Sequence, residues 1–254
     1  MKPILRSIFI PLFFTTMLLL ASCHKDSVSP PPQTYGQVYF HLHTNIDTAE
    51  VDTANVCTDA TGRRIRLRIA QFYGSGFQLQ KPDGSWLPVL GAYILKTIAN
   101  EAYFIGTVPT GNYTNVTFNV GLDPSRNASN PFGYSNGSIF ALQTPSMWFG
   151  STTQGYMFLN VQALVDTTAS HTGPVNIPVS YQTGTSAMLK SVTFPAQSFS
   201  VVTNTITFVH IICDYGKLLQ GINFKTQPNG TPFSNPAIAT QVANNIPGMF
   251  HYEL

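Results

Sequence analysis

Residues 64–69, Arg-Ile-Arg-Leu-Arg-Ile, alternate charged and apolar side chains without a break. Successive side chains on a β-strand point to opposite faces, whereas a helix scatters a period of two around its whole circumference. The run RIRLRIAQF, residues 64–72, therefore predicts a half-buried antiparallel strand. Ile65, Leu67 and Ile69 face inward, and Arg64, Arg66 and Arg68 face outward. Three arginines in a ladder can hold an anion, but a solvated face paired with acidic neighbours explains them more simply.

The same alternation organises much of the chain. VYFHLHT, residues 38–44, puts Val38, Phe40 and Leu42 on one side and Tyr39, His41 and His43 on the other. Turn chemistry separates the extended runs, at Pro82-Asp83-Gly84 and at Pro109-Thr110-Gly111-Asn112. Further strands are predicted at 156–165, 175–181, 188–194 and 199–213. Helices are few. Asn235 as N-cap, Pro236 and AIATQVANNI predict one, and YGKLLQGI, 215–222, one or two turns. Many short strands with few helices predict an all-β fold, an antiparallel β-sandwich with long loops and short helices near the C-terminus. The polar stretch 123–138 is one such loop, long enough to suggest a function.

The N-terminus reads as a targeting segment. Lys2 and Arg6 are its only charges, and residues 8–21 are nearly all apolar, too short for a comfortable membrane span. It closes with Leu20-Ala21-Ser22-Cys23, the pattern of a bacterial lipobox. Residues 1–22 are then a lipoprotein signal peptide and Cys23 the lipidated residue, so the protein meets a membrane through its lipid anchor. Residues 23–36, with Pro30-Pro31-Pro32, form an extended tether, and 37–254 a single β-sandwich domain. The expected location is the cell envelope, on an outer-membrane, periplasmic or surface face. His24 falls in the tether and is set aside as a ligand. Without Lys2 and Arg6, eleven basic residues balance eleven acidic ones, leaving no electrostatic footprint for nucleic acid. An oxidising envelope permits a disulfide between Cys57 and Cys213; two buried free thiols are the alternative.

Few constellations carry chemistry. Gly133-Tyr134-Ser135-Asn136-Gly137 fits G-x-S-x-G, but that motif means a nucleophile only on a strand–turn–helix elbow, and no βαβ pattern surrounds Ser135. No catalytic role is assigned. Asp123 and Asn127 offer oxygens to calcium, or cap turns. The histidines are the better lead. His41 and His43 share a strand face about 7 Å apart, and imidazole suits copper, zinc or nickel. His210 lies in a later strand, His251 near the end and His171 in a loop. The ordinary alternative is hydrogen bonding on a wet sheet face.

Several phrases together resemble the MbnP-like family of copper-associated bacterial envelope proteins. They are VYFHLHT; TGRRIRLRIAQFYGSGFQLQKPDGSW; IGTVPTGNYTNVTFNVGLDPSRN; PSMWFGSTTQGYMFLNVQALVD; and ANNIPGMFHYEL. The resemblance implies a secreted β-sandwich, copper binding and, for some relatives, a haem-peroxidase partner. It also implies a site of histidines with an oxidised tryptophan, for which Trp148 is the match. Phe149 stands where a second tryptophan is frequent, and Tyr181-Gln182-Thr183-Gly184 lacks a histidine common at that element. The expected function is non-catalytic binding of copper or a similar transition metal by His41 and His43, with His210 or His251 and Trp148 nearby. An adhesion or accessory module binding a glycan or protein through Tyr134, Trp86 and Trp148 is the second expectation.

Overall fold

The computed structural model describes residues 32–253. The signal segment, Cys23 and most of the tether lie outside the described residues. The longer strands are β1 (Tyr35–Ile46), with the short β2 (Ala49–Glu50) after it, β3 (Arg64–Gln80), β4 (Ala102–Pro109) and β5 (Asn115–Val120). They continue as β6 (Met157–Val165), β7 (Ile177–Gly184), β8 (Ile206–Asp214) and β9 (Phe250–Tyr252). Three helices are short: α1 (Pro124–Asn127), α2 (Tyr215–Leu218) and α3 (Pro236–Asn245).

The strands form two main sheets. In the first, β1 runs parallel to β8, whose other edge takes β9 antiparallel. The opposite edge of β1 pairs antiparallel with β4 along Tyr35–His41 and with β2 at Asn45–Ile46. In the second sheet β3 is central, with β5 on one side and β6 then β7 on the other. Aromatic side chains join the sheets. Phe40 of β1 meets Phe77 and Phe118 edge-on at 5.4 and 5.6 Å between ring centroids, and Phe250 of β9 meets Phe72 and Phe118 at 5.4 and 5.2 Å. Each such pair adds about 0.5–1.5 kcal/mol to simple burial. The molecule is an all-β sandwich.

β1 follows its alternation: Val38, Phe40 and Leu42 are wholly buried, and Tyr39, His41 and His43 are half-buried on the outer face. β3 follows it only as far as Leu67. A register shift against β6, between Gln162 and Ala163, turns Ile69 out of the core and carries Ala70 and Phe72 in. From Ala70 to Ser75 every residue is buried, because the second sheet's other face is covered as well. A cluster of Tyr73, Leu122, Phe140, Trp148, Tyr156 and Phe158 lies there. Tyr73 and Tyr156 each donate a 2.7 Å hydrogen bond to a carbonyl just past the polar stretch 123–138, Ile139 and Phe140 respectively.

Other expectations shift in detail. Residues 199–213 are two strands, 199–201 and 206–214, broken by a turn in which Asn204 takes φ 55°. Asparagine tolerates that left-handed conformation. The runs flanking Pro109–Asn112 do not form a hairpin: β4 joins the first sheet and β5 the second. α3 forms as expected with Pro236 at its start, but Asn235 is left-handed and makes no side-chain cap. Its amide donates to Asn229 Oδ1 instead. The polar stretch 123–138 contains α1, capped by Asp123, and a 3-10 turn at Pro131–Gly133. Ser135 follows that turn in irregular chain. Cys57 and Cys213 are free and buried, so of the two cysteine readings the thiols are present.

Candidate metal centre

Pairing places chemistry on the outer face of the first sheet. Residues directly opposite one another on paired strands share a face. Tyr39 of β1 lies between Phe104 of β4 and Phe208 of β8, with ring centroids at 5.2 and 5.6 Å. One step along, His41 lies opposite His210. One step further, His43 lies opposite Ile212, which lies opposite His251 of β9.

Three imidazoles converge here. His41 and His43 rings are 4.3 Å apart, and His41 and His210 rings 4.8 Å, both edge-on. His41 Nδ1 stands 3.1 Å from His210 Nδ1. One ring nitrogen of each of His41, His43 and His210 falls within 4.8 Å of the other two.

Two glutamates flank the group. Glu101 precedes β4 and is held by Leu42 N–H donating to its carbonyl at 2.8 Å. Its Oε2 lies 3.1 Å from His41 Nε2, and its Oε1 3.8 Å from His43 Nδ1. Glu253 follows β9, and its N–H donates to His210 O at 3.2 Å. Its Oε2 lies 3.1 Å from His210 Nδ1 and 3.3 Å from His43 Nε2. The latter contact lacks hydrogen-bond alignment, so His43 Nε2 is buried without a partner.

The carboxylate fixes a tautomer. Glu101 only accepts, so His41 Nε2 carries the hydrogen facing it, and the Nδ1 lone pair of the neutral ring points at His210. This is the carboxylate–histidine pairing that orients metal-ligating imidazoles. A tetrahedral ion at about 2.0–2.1 Å spaces its nitrogens by roughly 3.3 Å, close to the 3.1 Å of His41 and His210. The residues fit a borderline or soft transition metal.

The other candidates stand elsewhere. His251 shares the face but lies a strand beyond His210, in the His43 row with Ile212 between them. Burial, and then the charge of Lys217, lower its pKa. Trp148 is buried in the second sheet's outer cluster, against Tyr156 at 4.9 Å. Pro145, three residues before Trp148, lines a cleft shared with Glu101. Asp123 caps α1 and accepts from Tyr93 O–H at 2.7 Å, while Asn127 Oδ1 accepts from Tyr156 N–H at 2.8 Å. Trp86 is exposed, and Tyr134 is half-buried and holds Arg126 by a 2.7 Å hydrogen bond. Glu101 and Glu253 escaped the sequence reading. Glu253 had a signal, since it is two residues from His251 on one strand face. Glu101 had none short of the β1–β4 register.

No curated protein matches the chain. Among solved structures, MbnP from Methylosinus trichosporium matches with a TM-score of 0.51 at 16% identity, over 73% of this chain and 78% of that one. At that identity the likeness speaks for the fold alone. The profile described as MbnP matches residues 35–235. The chain belongs to the MbnP family.

Proposed function

We propose that this protein is a lipid-anchored envelope protein that binds copper without catalysing a reaction. His41, His43 and His210 are the ligands, and Glu101 orients His41. The observation that carries the reading is the convergence of three imidazoles from two strands on one face. Family membership supports it, and so does the lipobox at Leu20–Cys23. Three nitrogens and no thiolate suit copper, with zinc as the chemical competitor. The test is anaerobic Cu(I) titration of the purified full-length protein. Wild type takes one equivalent, and the His41→Ala/His43→Ala variant loses it. Unchanged stoichiometric affinity in that variant overturns the assignment.

A second reading has its own observation. Phe104 and Phe208 are nearly half exposed beside the histidines, with Tyr35 and Ile206 further along. This apolar row suits the partner-binding accessory role, including a haem-peroxidase partner of the kind the family resemblance implies. A protein that takes no copper yet loses a co-purifying partner on Phe104→Ser/Phe208→Ser would favour it.

A further inference from the structure

We infer that an alternative divalent-cation position, which shares His43 with the copper reading and is filled in its stead, is formed beside the trio by His43, Glu50 and Glu101. Ligand atoms of these three residues lie within 4.8 Å of one another. They come from three separate stretches of chain. β2 sets Glu50 opposite Asn45, two residues beyond His43 on the same face. Val51 N–H locks that register by donating to Thr44 O at 2.8 Å. Glu101 reaches in from the start of β4, its Oε2 turned to His41 and its Oε1 to His43.

The donor set differs in kind from the trio. Three imidazoles favour soft or borderline ions; one imidazole with two carboxylates favours zinc-class and harder divalent ions. Among the described residues, neither Glu50 nor Glu101 has a lysine or arginine within 4.0 Å. Buried Lys96 feels the Glu101 charge without pairing to it, so the two carboxylates face the ring with no direct ion pair to lysine or arginine. Arg68 shares the neighbouring cleft without pairing to either.

A separate observation points to an absent partner. Asn45 is 8% exposed, shares this face and is in register with Glu50, and its Oδ1 is buried with no hydrogen-bond partner. Such orphaned oxygens are scarce in folded proteins. A cation with its water shell supplies what this amide lacks. Access exists too: a cleft of about 470 Å³ opens along Glu50, Glu101, Thr97 and Ile98.

The experiment is zinc titration of the full-length protein, followed calorimetrically and by metal analysis. The His210→Ala variant, which breaks the trio and leaves the His43 lone pair free, takes one Zn²⁺ per chain in the absence of copper. Glu50→Gln alone leaves Cu(I) uptake unchanged. Glu50 is exposed, and an unaltered melting temperature checks the variant's fold. No zinc uptake by His210→Ala, or equal zinc affinity in His210→Ala/Glu50→Gln, overturns the second position. His210→Ala separates the two readings. Without copper it still takes one Zn²⁺, and His210→Ala/Glu50→Gln takes none. If the protein takes no Cu(I), this pair alone decides, and zinc retained by the double variant overturns the proposal.

Discussion

Asp59 does more structural work than any motif in the sequence suggested. Its carboxylate accepts from Thr61 N–H, Thr61 O–H, Arg63 N–H and Arg63 Nε, and Arg63 in turn donates to the carbonyls of Leu219 and Ile222. Burial pushes the Asp59 pKa up, but the hydrogen bonds from Thr61 and Arg63 prevail and hold it below the usual 3.8. The native carboxylate is thus more acidic than the unfolded one. Its stabilisation is full above the unfolded pKa and fades as pH falls through the lower native value. Asp59→Asn is expected to lose roughly 1.5–3 kcal/mol near neutrality, the worth of hydrogen bonds to a charged group. Urea unfolding across an acid series checks this: the gap between wild type and variant narrows only below about pH 4. A gap that stays constant into strong acid contradicts it.

Strands were legible wherever one face meets water. β1 and the start of β3 announced themselves because solvent on one side enforces alternation. The middle of β3 did not, because Tyr73 and its neighbours on the outer face are buried as completely as those on the inner one. His41 and His43 were legible as a pair, since two residues on one strand need no partner strand to share a face. His210 was named from the sequence, but its convergence on the pair, like that of Glu101 and Glu253, needed the register of β8, β4 and β9. Trp148, carried over from the family pattern, packs instead into the aromatic cluster.

The end of β5 shows another feature hidden from pattern. Gly121 has φ 124°, and a Cβ there would lie 2.4 Å from the Phe158 ring. Its N–H donates to Tyr73 O and its carbonyl accepts from Ser75 O–H, which fixes it against β3. Gly121→Ala combines backbone strain with overpacking, for an expected loss of roughly 2–5 kcal/mol. Denaturant unfolding checks it as a lowered midpoint at unchanged slope; a midpoint within error of wild type refutes it.

Over the whole molecule, the two cysteines behave as core atoms. Burial pushes the Cys213 thiol up to about 12, and raises that of Cys57 together with the Asp52 charge. The thiolate is the reactive form. A protein carrying Cys23→Ser is expected to show no reactive thiol when native and two in denaturant without reductant. A count of none in denaturant would mean a disulfide instead.

The parallel pairing of β1 with β8 has a consequence in time. His41 and His210 are neighbours across a ladder yet stand 169 residues apart in sequence. Closing so long a loop comes late and slowly, because its entropy must be met before any contact across it rewards the chain. Through synthesis and early folding, His41 and His43 exist without His210 and Glu253. The trio is therefore among the last features of the molecule to appear, and a chain halted before residue 206 cannot assemble it. Three-histidine binding is a property of the finished protein, and it reports that both ends of the chain have met.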